Sequence, residues 1–176
     1  MFRGRTAIAQ WVAVASAGLM LGGCGASASF RGNIYDNGVV RYRVGSVGPG
    51  WERVQVEDND LSFYNERLGT ISVNSTCKGY EDVPERALLN QLLFGTRERT
   101  YRVDETVTLD GRGALHDVVD LELDGVPLTI EVYLVKKDGC VYDISRVSSR
   151  SAFESGREAL ASLVRGFHVL STRLPD

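Results

Sequence analysis

Beyond residue 34, apolar and polar positions alternate mostly with a period of two and switch to helical spacing twice. Residues 34–44 read as two short strands about Asp36-Asn37-Gly38, an Asn-Gly signal for a primed hairpin turn. Strands follow at 51–56, 61–65 and 70–77, separated by the loop 45–50 and the acidic turn Glu57-Asp58-Asn59-Asp60. Ile71, Val73, Ser75 and Cys77 share one face. The period then changes over 82–94, where Asp82 can cap, Pro84 suits the first turn and Glu85 completes a capping box. Ala87, Leu88, Leu89, Leu92 and Leu93 supply the apolar face of this helix, and Gly95 ends it. A run of strands at 100–109, 114–123, 126–136 and 140–148 comes next. The last helix, 151–166, opens with the capping box Ser151 to Glu154, places Phe153, Leu160, Leu163, Val164 and Gly156 on one stripe, and stops at Gly166.

Glycine in each link of the meander sets expectations for register. The links are Asp110-Gly111-Arg112-Gly113, Asp124-Gly125 and Lys137-Asp138-Gly139. A two-residue turn at Asp124-Gly125 pairs Leu123 with Val126, Leu121 with Leu128 and Val119 with Ile130, all on one face. A three-residue loop at 137–139 pairs Lys136 with Cys140, Leu134 with Tyr142 and Val132 with Ile144. A one-residue slip would invert that assignment. The pattern is that of an α+β domain: a largely antiparallel sheet, with its meander over 100–148, flanked by helices.

The start of the chain is different. Arg3 and Arg5 precede an apolar run over 7–21, too short for a span of about 20 apolar residues, and it ends in Leu21, Gly22, Gly23 and Cys24. The charged, apolar, small-residue order is that of a secretory signal, and Leu21-Gly22-Gly23-Cys24 resembles a bacterial lipobox. The resemblance implies cleavage before Cys24, a diacylglycerol on its thiol and an acyl chain on its new amino group. Several acyl chains make anchoring stable, each buried methylene contributing about 0.8 kcal/mol. The alternatives are a transmembrane anchor or an ordinary cleaved signal. By analogy with enterobacterial lipoproteins, Gly25, in place of an Asp that would retain the protein at the inner membrane, implies outer-membrane sorting and a periplasm-facing domain. The expected organisation is a signal over 1–23, a lipidated and flexible tether over 24–33 and a single domain over 34–176.

Removing Arg3 and Arg5 with the signal leaves 18 basic against 23 acidic residues, a balance of −5. Such a surface argues against a nucleic-acid partner. With Cys24 lipidated, export leaves Cys77 and Cys140 able to form one disulfide, or to sit as two unrelated core thiols.

The order of elements also resembles the PsbP-like α/β/α sandwich, shared by the photosystem II subunit PsbP and the bacterial lipoprotein family DcrB. The residues concerned are Tyr42-Arg43-Val44 through Pro49-Gly50-Trp51, the helix 82–94, the meander ending Gly139-Cys140-Val141-Tyr142-Asp143 and the closing helix to Phe167, about residues 40–170. PsbP binds a membrane protein complex and affects its ion requirement. The resemblance implies a binding or assembly factor and no enzyme. No PsbP functional residue matches a position here.

Residues with chemical potential are few. His116 shares a strand face with Asp120 and Glu122 and, with Glu131 on the next strand, sketches a carboxylate–histidine metal site. The competing reading is a solvated outer sheet face, because zinc sites carry more His or Cys. His168 reads as packing or surface. Ser145 or Ser148 with His116 and Asp143 could be written as a triad, but no Gly-x-Ser-x-Gly elbow holds the serine. The acidic turn 57–60 lacks calcium-loop spacing, and Gly111-Arg112-Gly113 is no phosphate loop. Arg97, Arg99 and Arg102, around Glu98, are the one basic cluster, suited to an anionic partner or lipid head groups; a helix C-terminus explains at least Arg97 equally well. Trp51 and Tyr101 read as core or rim, with the loop Gly48-Pro49-Gly50 able to present an aromatic to a partner. The expectation is a non-catalytic, cofactor-free envelope lipoprotein that binds or stabilises a protein assembly. The alternative is a small-ligand carrier with a pocket between sheet and helix, and a third, less supported reading is an envelope hydrolase or metal enzyme.

Overall fold

The computed structural model describes residues 28–80 and 82–174, so Leu21, Gly22, Gly23 and Cys24 lie outside the described residues. The elements in chain order are β1 (Ser29–Arg31), β2 (Ile34–Asp36), β3 (Val40–Arg43), β4 (Glu52–Val54), β5 (Leu61–Asn65), β6 (Gly69–Thr76), α1 (Glu85–Leu92), β7 (Arg97–Leu109), β8 (Arg112–Leu123), β9 (Val126–Lys137), β10 (Cys140–Ser149), α2 (Phe153–Arg165) and β11 (His168–Thr172). Seven strands form one antiparallel sheet in the order β4-β5-β6-β10-β9-β8-β7. The other four form a small antiparallel sheet in the order β1-β2-β3-β11.

Three Asp-Gly pairs build the meander. Asp110-Gly111, Asp124-Gly125 and Asp138-Gly139 each place both residues at positive φ, 49° and 76°, 51° and 80°, 52° and 78°. That is the two-residue primed turn whose twist matches the flanking strands. The pairs expected about Asp124-Gly125 form as read: Leu123 with Val126, Leu121 with Leu128, Val119 with Ile130. The loop expected at 137–139 is shorter by one residue. Lys137 belongs to β9, Cys140 pairs with it, and Tyr142 pairs with Val135 and Ile144 with Tyr133. Asp tolerates the left-handed region, so Asp138 supplies the second positive φ and no third loop residue is needed. Cys140 therefore joins the face of Val135 and Tyr133, opposite to that of Leu134 and Val132.

Strand alternation gives the large sheet two apolar faces. On one, Ile71, Val73, Ala114, Val135, Tyr142 and Ile144 pack with Leu160 and Leu163 of α2 and with Tyr35, Val40 and Tyr42 of the small sheet. On the other, Val119, Leu121, Ile130 and Val132 pack with Leu89 and Leu93 of α1 and its C-terminal turn. Cys77 and Cys140 are bridged at the end of β6 and β10.

Several local expectations are corrected. The sheet begins at Ser29, inside the stretch read as tether, because Phe30 gains an edge-on contact with Phe63 at 6.0 Å between ring centroids. At α1, Pro84 takes the extended backbone before the first turn, which leaves Asp82 outside, and no side chain caps the helix. At α2, Ser149 accepts a hydrogen bond from the Ala152 amide at 3.3 Å and starts a 3-10 turn over Arg150–Ala152. The Ser151–Glu154 box is thereby displaced, and Glu154 turns outward to Arg102 and Arg157.

The α2 side also buries a cation. Arg146 is 0 % exposed; its Nη2 donates to the Phe153 carbonyl at 2.5 Å, and its guanidinium lies 4.9 Å from the Phe153 ring centroid. Gly156 makes the room, since a Cβ there would come within 1.9 Å of Arg146 Nη1. Gly156→Ala should therefore lower stability by about 1–3 kcal/mol through overpacking, although alanine alone favours a helix interior by about 1 kcal/mol. Urea unfolding measures the sign, and a stabilised variant would contradict this packing.

Candidate functional site

His116 is not on a solvated outer face. The two-residue turns place it opposite Glu105 and Tyr133 on the α2 side of the sheet, where it is 7 % exposed. Its Nδ1 lies 2.9 Å from Glu105 Oε1 and its Nε2 3.1 Å from the buried Glu131 Oε1. Its ring stacks on Tyr133 at 4.1 Å between centroids. Only the imidazolium can donate to both carboxylates. Burial opposes that charge, but the hydrogen bonds to Glu131 and Glu105 outweigh it and hold the His116 pKa above its ordinary value. Asp120 does not join this group; it accepts from Thr129 and lies 3.8 Å from Arg102. Among the described residues no set of three or more His, Cys, Asp or Glu side chains is placed to hold a metal ion. The arrangement is a closed ionic bridge.

The paper triad does not assemble. Asp143 and Ser145 alternate onto the α1 side, away from His116, while Ser148 shares the His116 face but lies beyond Arg146 on β10. His168 bonds to Asp110, which also takes Lys137 Nζ at 2.7 Å. Burial works against the Asp110 carboxylate, yet Lys137, the Val169 amide and His168 hold its pKa low. Asp60 turns inward from the acidic loop and accepts from Ser75 at 2.5 Å and Tyr42 at 3.1 Å. Arg99, rather than Arg97, reaches back to the Leu93 carbonyl at the end of α1, whereas Arg97 lies in β7 opposite Glu122. Trp51 packs on the α2-side core.

What stays open is the α1 side. α1 has only 8 residues, too short to roof the sheet, and is fastened by Arg86 to Asp104 and Asp117. Next to it, Tyr80, Leu88, Gln91, Leu92, Leu134, Val141 and Asp143 line a cavity of about 190 Å³. Burial pushes the Asp143 carboxyl up to about 6, although it accepts from Asn74 Nδ2 at 2.8 Å. A second cavity of about 280 Å³ at the disulfide shares Tyr80 and Val141 with the first and is lined also by Lys78, Arg112, Lys136, Lys137 and Asp138. The two lie side by side along this wall, apolar beside α1 and cationic at the sheet end. Lys78 and Arg112 make no ion pair among the described residues.

At the opposite end of α1 the surface is apolar. Phe94 is 87 % exposed directly after the buried Leu93, and Tyr101, Leu123 and Val126 are exposed on the same side of the sheet. Single exposed apolar residues need no explanation; here four large ones stand around one small core. Sequence reasoning read Phe94 only as the last residue of a helix; its place just before Gly95, off the Leu88–Leu89–Leu93 stripe, is the signal that it points outward. No signal marked Lys78 or Tyr80, because the groove joins distant segments.

No protein-family model and no curated protein matches this sequence. Solved structures do. The solution structure of cyanobacterial PsbP, CyanoP, from Synechocystis superposes with a TM-score of 0.50 at 12% identity, covering 90% of this chain and 98% of that one. The fold is PsbP-like. LpqN of Mycobacterium tuberculosis, described as involved in cell envelope biogenesis, gives a TM-score of 0.56 at 11% identity over 84% of this chain and 90% of its own. A Bacteroides thetaiotaomicron protein gives 0.52 at 10% identity, covering 74% of this chain and 45% of that one. At such identities the likeness is one of fold alone.

The ionic bridge at His116 yields a pH test. A histidine with a raised folded pKa contributes stability that is fully present below the unfolded value, about 6.5, and is lost as pH rises through the folded value. The stability difference between wild type and His116→Gln should be larger at pH 6 than at pH 9, because only the imidazolium donates to both carboxylates. Chemical denaturation across that range measures it, and a difference that grows with pH would show a neutral His116.

Proposed function

We propose that this chain is a non-catalytic, lipid-anchored protein of the bacterial envelope, held by acyl groups on Cys24 at the periplasmic face of the outer membrane. In this reading its PsbP-like domain binds or stabilises a protein assembly. The observation that supports it is the apolar surface of Phe94, Tyr101, Leu123 and Val126, set at one end of a rigid sheet. Aromatic side chains dominate the energetics of protein interfaces, and a lipidated N-terminus would confine the domain to partners at the membrane. The involvement of LpqN, which shares the fold, in cell envelope biogenesis agrees with an envelope role.

Affinity purification of the full chain from its native envelope tests this. Phe94→Asp should leave the protein folded and membrane-bound but weaken partner recovery at least about 30-fold, the equivalent of a hot spot near 2 kcal/mol. Cys24→Ala should release the protein from the membrane and lose the same partners. An unchanged partner set with Phe94→Asp would overturn docking through this surface.

A further inference from the structure

We propose that the groove between α1 and the disulfide end of the sheet binds an anionic amphiphile, with its apolar body along Leu88, Leu92, Leu134 and Val141 and its head at Lys78 and Arg112. The site goes beyond the docking surface at Phe94 and stands or falls separately from it.

Three observations support the assignment. The two cavities, about 190 Å³ and about 280 Å³, lie side by side with Tyr80 and Val141 as a common wall, and their combined volume falls within the range of about 300–1,000 Å³ of small-ligand pockets. The groove is also divided by chemistry. Among the described lining residues of the sheet end, four are cationic and Asp138 is the one acid. Lys137 is already engaged by Asp110, and Lys136 donates to the Val83 carbonyl. Lys78 and Arg112, both exposed, line this end with no ion pair among the described residues. Charge also fixes the direction of entry. Asp143 at the α1 end repels an anionic head and leaves that end to methylenes in contact with Leu88, Leu92 and Leu134. A neutral apolar ligand would gain nothing from the mouth, and a bare anion would gain nothing from the leucines.

The test uses the full chain in phosphatidylcholine nanodiscs, with equilibrium dialysis of octanoate, octyl phosphate, octanol and inorganic phosphate against protein-free discs. Octanoate and octyl phosphate are expected to bind above the protein-free control and at least about tenfold more tightly than octanol or inorganic phosphate, a difference near 1.4 kcal/mol. Lys78→Glu combined with Arg112→Glu should weaken the two anionic amphiphiles by about tenfold or more and leave octanol unchanged. Leu92→Asp, also at an exposed position, should weaken all three octyl compounds. Phe94→Asp should change none of these. The proposal is overturned if octanoate binds no better than to protein-free discs, if inorganic phosphate binds as tightly as octyl phosphate, or if the double charge reversal leaves octanoate binding intact.

Discussion

Three Asp-Gly turns decide the architecture. Each holds two consecutive residues at positive φ, and glycine and aspartate are among the few residues that accept that backbone. Because side chains alternate with a period of two, a turn longer by one residue would send a whole strand's apolar set to the wrong face. The placement of His116 against Glu105 and Tyr133, of Arg146 opposite Glu131 and of Cys140 opposite Lys137 follows from the length of these turns. So does the side on which Asp143 stands.

The two faces are finished differently. On the α2 side the helix and the small sheet cover the strands, and three polar groups beneath are paired, Arg146 with the Phe153 carbonyl and ring, His116 with two carboxylates and Asp60 with two hydroxyls, while Arg146 Nε, Glu131 Oε2, Tyr142 OH and Ser148 Oγ are buried without a hydrogen-bond partner. Gly45 and Gly166 permit the close approach of the small sheet to the end of α2, where the Gly45 amide donates to the Leu163 carbonyl at 2.9 Å. On the α1 side a helix of two turns covers a fraction of the sheet, leaving a groove at one end and an apolar rim at the other. Burying apolar surface is the dominant favourable term in folding and association alike, so the face that folding leaves incomplete is the one available for binding.

Much of the fold was legible from local chemistry. Period-two alternation located all of the meander strands, the Asn-Gly signal located the hairpin between β2 and β3, although without the primed turn since Asn37 is not at positive φ, and the leucine stripe located α1. Two kinds of feature were not legible. The first turned on one residue: reading Lys137 as loop set Cys140, Tyr142 and Ile144 on the face of Leu134 and Val132, whereas they share that of Val135 and Tyr133. The second joined segments far apart in sequence. His116 sits between Glu105 and Glu131 only once two hairpins have closed, and the groove unites the loop after β6, one side of α1 and the turn between β9 and β10. The helix caps failed for a simpler reason. Pro84 and Ser149 take positions that the capping-box pattern assigned to Asp82 and Ser151.

The proposed function requires an acylated Cys24 that tethers the domain to the membrane. Intact mass analysis of the protein purified from its native membranes addresses this directly. The expected result is a mature chain beginning at Cys24, with a diacylglyceryl thioether on the sulfur and an acyl group on the new N-terminus. A chain that retains residues 1–23, or that begins elsewhere with an unmodified Cys24 thiol, would contradict it.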